Sequence, residues 1–208
     1  MLKREQAKTT ASGVEISSID ILEEAQAKAC CADLYQSELA HMIMGDSMHP
    51  GGLALTNRVG RLMEIQPGDW VADLASARGN SAVAVSRVFK CNVVGVEFGR
   101  EAVAEAHATA LSARLADRSH NVQRDAERPP LKPGRFDSVF CECAMSLFQN
   151  KAVAVEETVN LLRPGGRFGL SDVTVEPNCL PEEMDGTLGQ LLCLTNALTV
   201  NGYVELMQ

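Results

Sequence analysis

Four acidic residues of this sequence each stand at or just beyond the end of a short strand-like stretch. Asp73 falls within the close of Trp70–Leu74, Glu97 follows Asn92–Val96, Asp125 follows Asn121–Gln123 and Glu142 follows Phe136–Cys141. A carboxylate about 20 residues beyond a small-residue loop accepts hydrogen bonds from ribose hydroxyls, and Glu97 stands at that distance from Ala75–Gly79. Asp125, with Ala126 beside it, reaches an adenine amino group or else forms a turn ahead of the proline-rich loop through Pro133. Glu142 orients a substrate, accepts a proton, or caps the helix after it. Thiols are the second reactive class, with seven cysteines at positions 30, 31, 91, 141, 143, 179 and 193. None forms a C-x-x-C pair, which argues against a zinc knuckle. Cys91 and Cys141 read as small buried hydrophobes. Cys143 lies in Glu142-Cys143-Ala144-Met145 after a strand, and strand C-termini form the ligand crevice of open α/β sheets. Burial as a core residue is the alternative for it. His49, in the turn His49-Pro50-Gly51-Gly52, is either a contact or acid–base group, or a solvated turn residue.

The elements that position these groups centre on residues 67–87. Pro67-Gly68 signals a turn, Trp70–Leu74 reads as a buried parallel strand, and Ser81–Phe89 has helical spacing. This strand, tight loop and helix open a nucleotide-binding α/β fold, with Gly79 where helix and strand pass closely. The loop is not that of a dinucleotide enzyme, because Ala77 replaces the glycine that lets a pyrophosphate approach the backbone. A ligand without phosphate tolerates the change, and the helix N-terminus still offers N–H groups and a positive dipole end to a carboxylate. S-adenosylmethionine meets that description. Asp73, Ala75, Ser76, Ala77, Gly79, Asn80 and Ser81, with Glu97, Phe98, Asp125, Ala126 and Glu142, are the candidate cofactor-binding residues. A purely structural βα turn is the alternative for the loop taken alone.

Further strands are expected at Asn92–Val96, Asn121–Gln123, Phe136–Cys141 and Arg167–Val173. Helices are expected from Ser18, over Leu53–Ile65, Arg100–Arg118 and Lys151–Leu162, and within Leu180–Met207; residues 1–16 read as a frayed lead-in. The predicted architecture is α/β: a Rossmann-like, doubly wound, mostly parallel sheet with helices on both faces. Residues 1–66 form a helical segment that either covers the crevice as a lid or simply packs, and residues 67–208 form the core.

The totals fit one domain. The chain has 208 residues, 46% apolar and 22% charged, with net charge -8 and a pI near 5.0, a balance that disfavours a phosphate-tracking nucleic-acid surface. No apolar run is long enough to cross a bilayer, and the polar N-terminus lacks a signal-peptide core, so a cytoplasmic protein with reduced thiols is expected.

Val-Ala-Asp-Leu-Ala-Ser-Ala-Arg-Gly, Val-Val-Gly-Val-Glu, Arg-Asp-Ala-Glu, Arg-Phe-Asp-Ser-Val-Phe and Leu-Leu-Arg-Pro-Gly-Gly-Arg-Phe resemble, in order and spacing over residues 67–173, the motifs of class I S-adenosylmethionine-dependent methyltransferases. The resemblance implies that Asp73, Ala75, Ala77 and Gly79 line the cofactor loop, Glu97 holds the ribose and Asp125-Ala126 flanks the adenine. Glu142–Lys151, Ser171-Asp172-Val173, Leu180–Glu183 and Leu192-Cys193-Leu194 are similar to arsenite methyltransferases, where two cysteines bind trivalent arsenic. Cys143 and Cys193 match those two positions, and thiolates suit a soft centre. A third cysteine of that family corresponds here to Ser81-Ala82, and its N-terminal Tyr-Gly-Cys-Gly motif is absent; Cys30 or Cys31 is the candidate replacement, with Cys31 as the candidate third ligand. The chain also stops before the antiparallel hairpin that usually completes the family's sheet. The expected function is methyl transfer to a small soft acceptor, a trivalent metalloid or thiol, with Cys143, Cys193 and Glu142 in the catalytic set. The alternatives are O-, N- or C-methylation of a small metabolite with structural cysteines, and a non-catalytic cofactor- or metalloid-binding protein.

Overall fold

Continuous apolar runs make buried parallel strands, and the segments 70–74, 92–97 and 136–142 are of this kind, flanked by two more polar edge strands. The computed structural model describes residues 49–176, 179–180, 189 and 192–208, together with 8–9, 15–16 and 26. After a short antiparallel pair, β1 (Lys8–Thr9) with β2 (Glu15–Ile16), come α1 (Gly52–Leu62), β3 (Trp70–Leu74), α2 (Asn80–Phe89), β4 (Asn92–Glu97) and α3 (Arg100–Ser112). They are followed by β5 (Ser119–Gln123), β6 (Phe136–Glu142), α4 (Lys151–Leu161), β7 (Leu162–Ser171) and α5 (Val200–Leu206). The main sheet has the order β5-β4-β3-β6-β7 with every neighbouring pair parallel. Its order reverses between β3 and β6, the point at which ligands bind in such sheets.

Alternation along the strands splits the core in two. Val71, Val93 and Phe140 face one way, against Val59 and Met63 of the α1 region and Val85 of α2. Leu74, Val96, Val139 and Cys141 face the other way, against Leu161 of α4 and Tyr203 of α5. Cys91 and Cys141 are both core residues, as their sequence positions implied. Burial pushes the Cys91 thiol up to about 12.

Several expected boundaries move. The segment expected as a frayed lead-in carries the β1–β2 pair, which includes the β-branched residues Thr9 and Ile16. The helix expected to reach Arg118 stops at Ser112, where Arg114 adopts a left-handed conformation (φ 58) and Leu115 N–H closes onto Ala110 O. The strand expected from Arg167 instead begins at Leu162 and takes in Arg163-Pro164-Gly165-Gly166. The ladder shifts there, Phe136 pairing with Leu162 but Ser138 with Arg167. An irregularity of this kind on an edge strand accommodates a proline, which has no N–H to donate. Of the expected N-terminal lid, α1 is described, and it packs on α2 and β7. The helix expected from Ser18, the stretch Leu39–Met44, Cys30 and Cys31 lie outside the described residues. Of the helices expected within Leu180–Met207, the described one is α5, capped by the Thr199 hydroxyl accepting from Gly202 N–H at 2.9 Å.

Candidate functional site

The loop from β3 to α2 carries three left-handed residues at alternate positions: Ala75 (φ 58), Ala77 (φ 44) and Gly79 (φ 75). Glycine adopts this conformation readily, whereas alanine is strained by about 1–2 kcal/mol. The surroundings hold it in place. Ser76 N–H donates to Val96 O at 3.1 Å, and Glu97 bridges the loop to its own strand end. Its carboxylate accepts from Ala77 N–H at 2.9 Å and Gly99 N–H at 2.7 Å. A Cβ on Gly79 would stand 2.9 Å from the Ala106 Cβ, so the close approach is to α3 rather than to a strand. Gly79 heads α2 without a side-chain cap, which leaves the positive end of the helix dipole facing the crevice.

Behind the loop lies a cluster of buried oxygen atoms. Glu142 Oε2 accepts from Thr56 Oγ1 and from Ser81 Oγ, each at 2.9 Å. His49 Nε2 stands 3.5 Å from the same oxygen and 3.3 Å from Ser81 Oγ. Glu142 Oε1, Asp73 Oδ2 and Ser76 Oγ are buried without a hydrogen-bond partner. The Asp73 carboxyl is held well above its ordinary range by burial first, then by the charges of Glu142 and Glu97. Burial likewise raises Glu97, opposed by the Gly99, Ala77 and Phe98 amides. Carboxylates gathered at reduced solvation are stabilised by a cation. S-adenosylmethionine, with a sulfonium and an ammonium, is of the right sign, and the unpartnered oxygens give it acceptors.

The two matched cysteines also meet. Cys143 follows the last residue of β6 in a left-handed conformation (φ 52), its N–H donating to Ser171 O at 2.7 Å. Cys193, also left-handed (φ 62), donates its thiol to Cys143 O at 3.2 Å across 50 residues of chain. Both are buried. The Cys193 thiol, and then burial, keep the Cys143 thiol protonated well above its usual range. The described cysteines are all free thiols.

The sequence-selected residues fall into three places. Asp73, Ala75, Ser76, Ala77, Ser81, Glu97 and Glu142 gather at the carboxyl ends of β3, β4 and β6, with Phe98 half-buried beyond Glu97. Asn80 lines a groove between α2 and α3. Asp125 accepts from Glu127 N–H at 2.9 Å, the turn-forming role weighed for it, and Ala126 is buried. Sequence reasoning missed Thr56, whose one signal was a polar residue on the apolar stripe of α1, and Glu127, which ended the Arg-Asp-Ala-Glu motif without a role. His49 is not solvated but 7% exposed, within the cluster.

Residues 71–166 match the family of methyltransferase domains. The chain is 23% identical over 161 residues to a 27-O-demethylrifamycin SV methyltransferase of Amycolatopsis mediterranei, covering 72% of this chain and 59% of that protein. To an arsenite methyltransferase of Aquipseudomonas alcaligenes it is 28% identical over 144 residues, covering 65% and 42%. The fold is similar to that of the [4+2]-cyclase SpnF, with a TM-score of 0.67 at 21% identity, covering 78% of this chain and 58% of that one. The chain spans about three-fifths of the length of the first two curated relatives it matches. No helix among the described residues is long and apolar enough to cross a membrane. Sheet order and loop give these residues a Rossmann-like fold, the match to the methyltransferase-domain family lies within it, and the cofactor this match supports is S-adenosylmethionine.

Proposed function

We propose that this protein transfers a methyl group from S-adenosylmethionine to a small soft acceptor, a trivalent arsenical or related thiophile, held by Cys143 and Cys193. The observation that carries the acceptor is the convergence of two buried thiols from opposite ends of a 50-residue separation, at the carboxyl end of the strand bordering the switch point. The arsenite methyltransferase relative supports it. When bound, S-adenosylmethionine supplies an electrophilic methyl on a sulfonium. In this reading Glu97 holds its ribose, Asp125-Ala126 flanks its adenine, and Asp73 with the α2 N-terminus receives its amino-acid end.

The thiols act by condensation. Two Cys–SH groups and As(OH)3 give a bis-thiolate arsenic hydroxide and two waters, the thiol protons leaving with the displaced hydroxides. Raised thiol pKa values therefore do not oppose binding, since no free thiolate need accumulate. The arsenic keeps its lone pair, and holding it beside the methyl donor supplies much of the rate.

The test measures methyl transfer to arsenite with labelled S-adenosylmethionine, alongside cofactor binding by calorimetry. Cys143→Ser and Cys193→Ser should each lose transfer by about 100-fold or more while cofactor affinity stays within about threefold. Full activity in both variants refutes the thiol acceptor.

One observation favours a second reading, methylation of an oxygen on a small metabolite. Glu142 Oε1 is buried and without a hydrogen-bond partner, with His49 against the other oxygen of the same carboxylate. Such a carboxylate accepts a hydroxyl proton, and the rifamycin relative is named as acting on oxygen. Glu142→Gln abolishes transfer under that reading, while the two serine variants remain active.

A further inference from the structure

The loop that bears Cys143 is held by charges from outside it. Cys143 N–H is fixed to β7, and Ser146 N–H donates to Asp172 Oδ2 at 2.9 Å. Lys151 Nζ donates to Ser146 O at 3.0 Å and Phe148 O at 2.9 Å. The far end is held by Glu127, whose two carboxylate oxygens accept one each from Gln149 N–H at 2.8 Å and Asn150 N–H at 3.0 Å. Glu127 is 1% exposed. It stands directly after Asp125-Ala126, and Asp125 accepts its backbone N–H.

A buried carboxylate is costly to desolvate, and two short charge-assisted bonds to consecutive amides offset part of that cost. Apolar packing alone does not call for an ion here. What the ion does is fix the spacing between the 125–127 turn after β5 and residues 149–150, the end of the segment that starts at Cys143. Asn150 then caps α4, its side chain accepting from Val153 N–H at 3.1 Å, so the grip continues into a helix.

We infer that Glu127 is a positioning residue, clamping the 143–150 loop to the turn proposed to flank the adenine, so that Cys143 is held against Cys193 in register with the cofactor. The inference rests on the thiol-pair reading above, and it goes beyond it in assigning the geometry of the pair to a residue that touches neither thiol. Glutamine at 127 keeps the shape but can accept only through its carbonyl oxygen, and it turns an amide N–H2 toward the second backbone N–H.

Two measurements on Glu127→Gln test this. Amide exchange at Gln149 and Asn150 reports the clamp, and should accelerate about tenfold or more in a variant whose thermal unfolding remains cooperative. Phenylarsine oxide reports the thiol pair, since one molecule condenses with two thiols to give a dithioarsenite and one water. The part of its affinity that Cys193→Ser removes from the wild type is the chelate, and Glu127→Gln should lose most of that part, about tenfold. Single-thiol alkylation of Cys143 should stay within about twofold of wild type, whereas a general loss of packing order would expose this buried thiol and accelerate it. Glu127→Asp, one methylene shorter but with both oxygens, should recover part of the chelate affinity.

Unchanged exchange at Gln149 and Asn150 in the folded variant overturns the clamp. Raised exchange with undiminished chelate affinity overturns the positioning role. A wild type that binds the arsenical no better than Cys193→Ser instead overturns the thiol-pair reading itself.

Discussion

Exchanging glycine and alanine within the β3–α2 loop should give effects of opposite sign at two positions that share one backbone conformation. Gly79 sits at φ 75, and an added Cβ meets the Cβ of Ala106 at 2.9 Å and its Cα at 3.2 Å. Those atoms belong to the body of α3 and cannot swing aside. Gly79→Ala therefore incurs about 1–2 kcal/mol for a left-handed alanine and about 1–3 kcal/mol for overpacking, less about 0.4–1 kcal/mol gained from a stiffer unfolded chain. The net loss is about 2–4 kcal/mol, a fall of about 5–15 °C in Tm for a chain of this size. Ala77, at φ 44, already bears the left-handed strain. Ala77→Gly relieves it against the same unfolded-state term, for a net gain of about 0.5–1 kcal/mol. Urea unfolding of the ligand-free protein, with unchanged m, reads both. A Gly79→Ala variant within about 0.5 kcal/mol of wild type, or an Ala77→Gly variant that loses stability by more than about 1 kcal/mol, refutes the account of strain in this loop.

Asp73 should make stability fall as pH rises. Its folded pKa lies above the ordinary 3.8, so the fold retains a proton that the unfolded chain has already released. Its contribution is full below 3.8 and is lost as pH climbs through the raised value, and Glu97 adds a term of the same sign. Asp73→Asn should flatten this slope and raise ligand-free stability near neutrality, measured as urea midpoints at about pH 5 and pH 8; an undiminished slope counts against it. Thr56→Val and Ser81→Ala each remove a 2.9 Å donor from buried Glu142 and should cost about 1–3 kcal/mol, with a non-additive double variant; additive losses below about 0.5 kcal/mol mean the cluster is not a unit.

The central unit could be read from the sequence because its signals are local. β3 occupies Trp70–Leu74 as expected, α2 begins one residue earlier than expected, and Glu97 ends β4 facing the loop. A strand buried on both faces is a continuous apolar run, and the loop between strand and helix is marked by small residues. Boundaries slipped where long-range pairing overrode local propensity, as at Arg163-Pro164-Gly165-Gly166, which reads as a stop and yet runs into β7.

Composition and spacing alone determined an α/β sheet with acidic groups at its strand ends, because alternation and apolar runs are properties of neighbouring residues. Which distant side chains share one carboxylate was decided by tertiary structure: Thr56 reaches Glu142 across 86 residues. So was the backbone at Ala75, Ala77, Cys143 and Cys193, all left-handed and none a glycine. No local preference selects that conformation for alanine or cysteine. It persists where the surrounding packing and hydrogen bonds outweigh about 1–2 kcal/mol per residue, and those contacts come from elements far away in the chain.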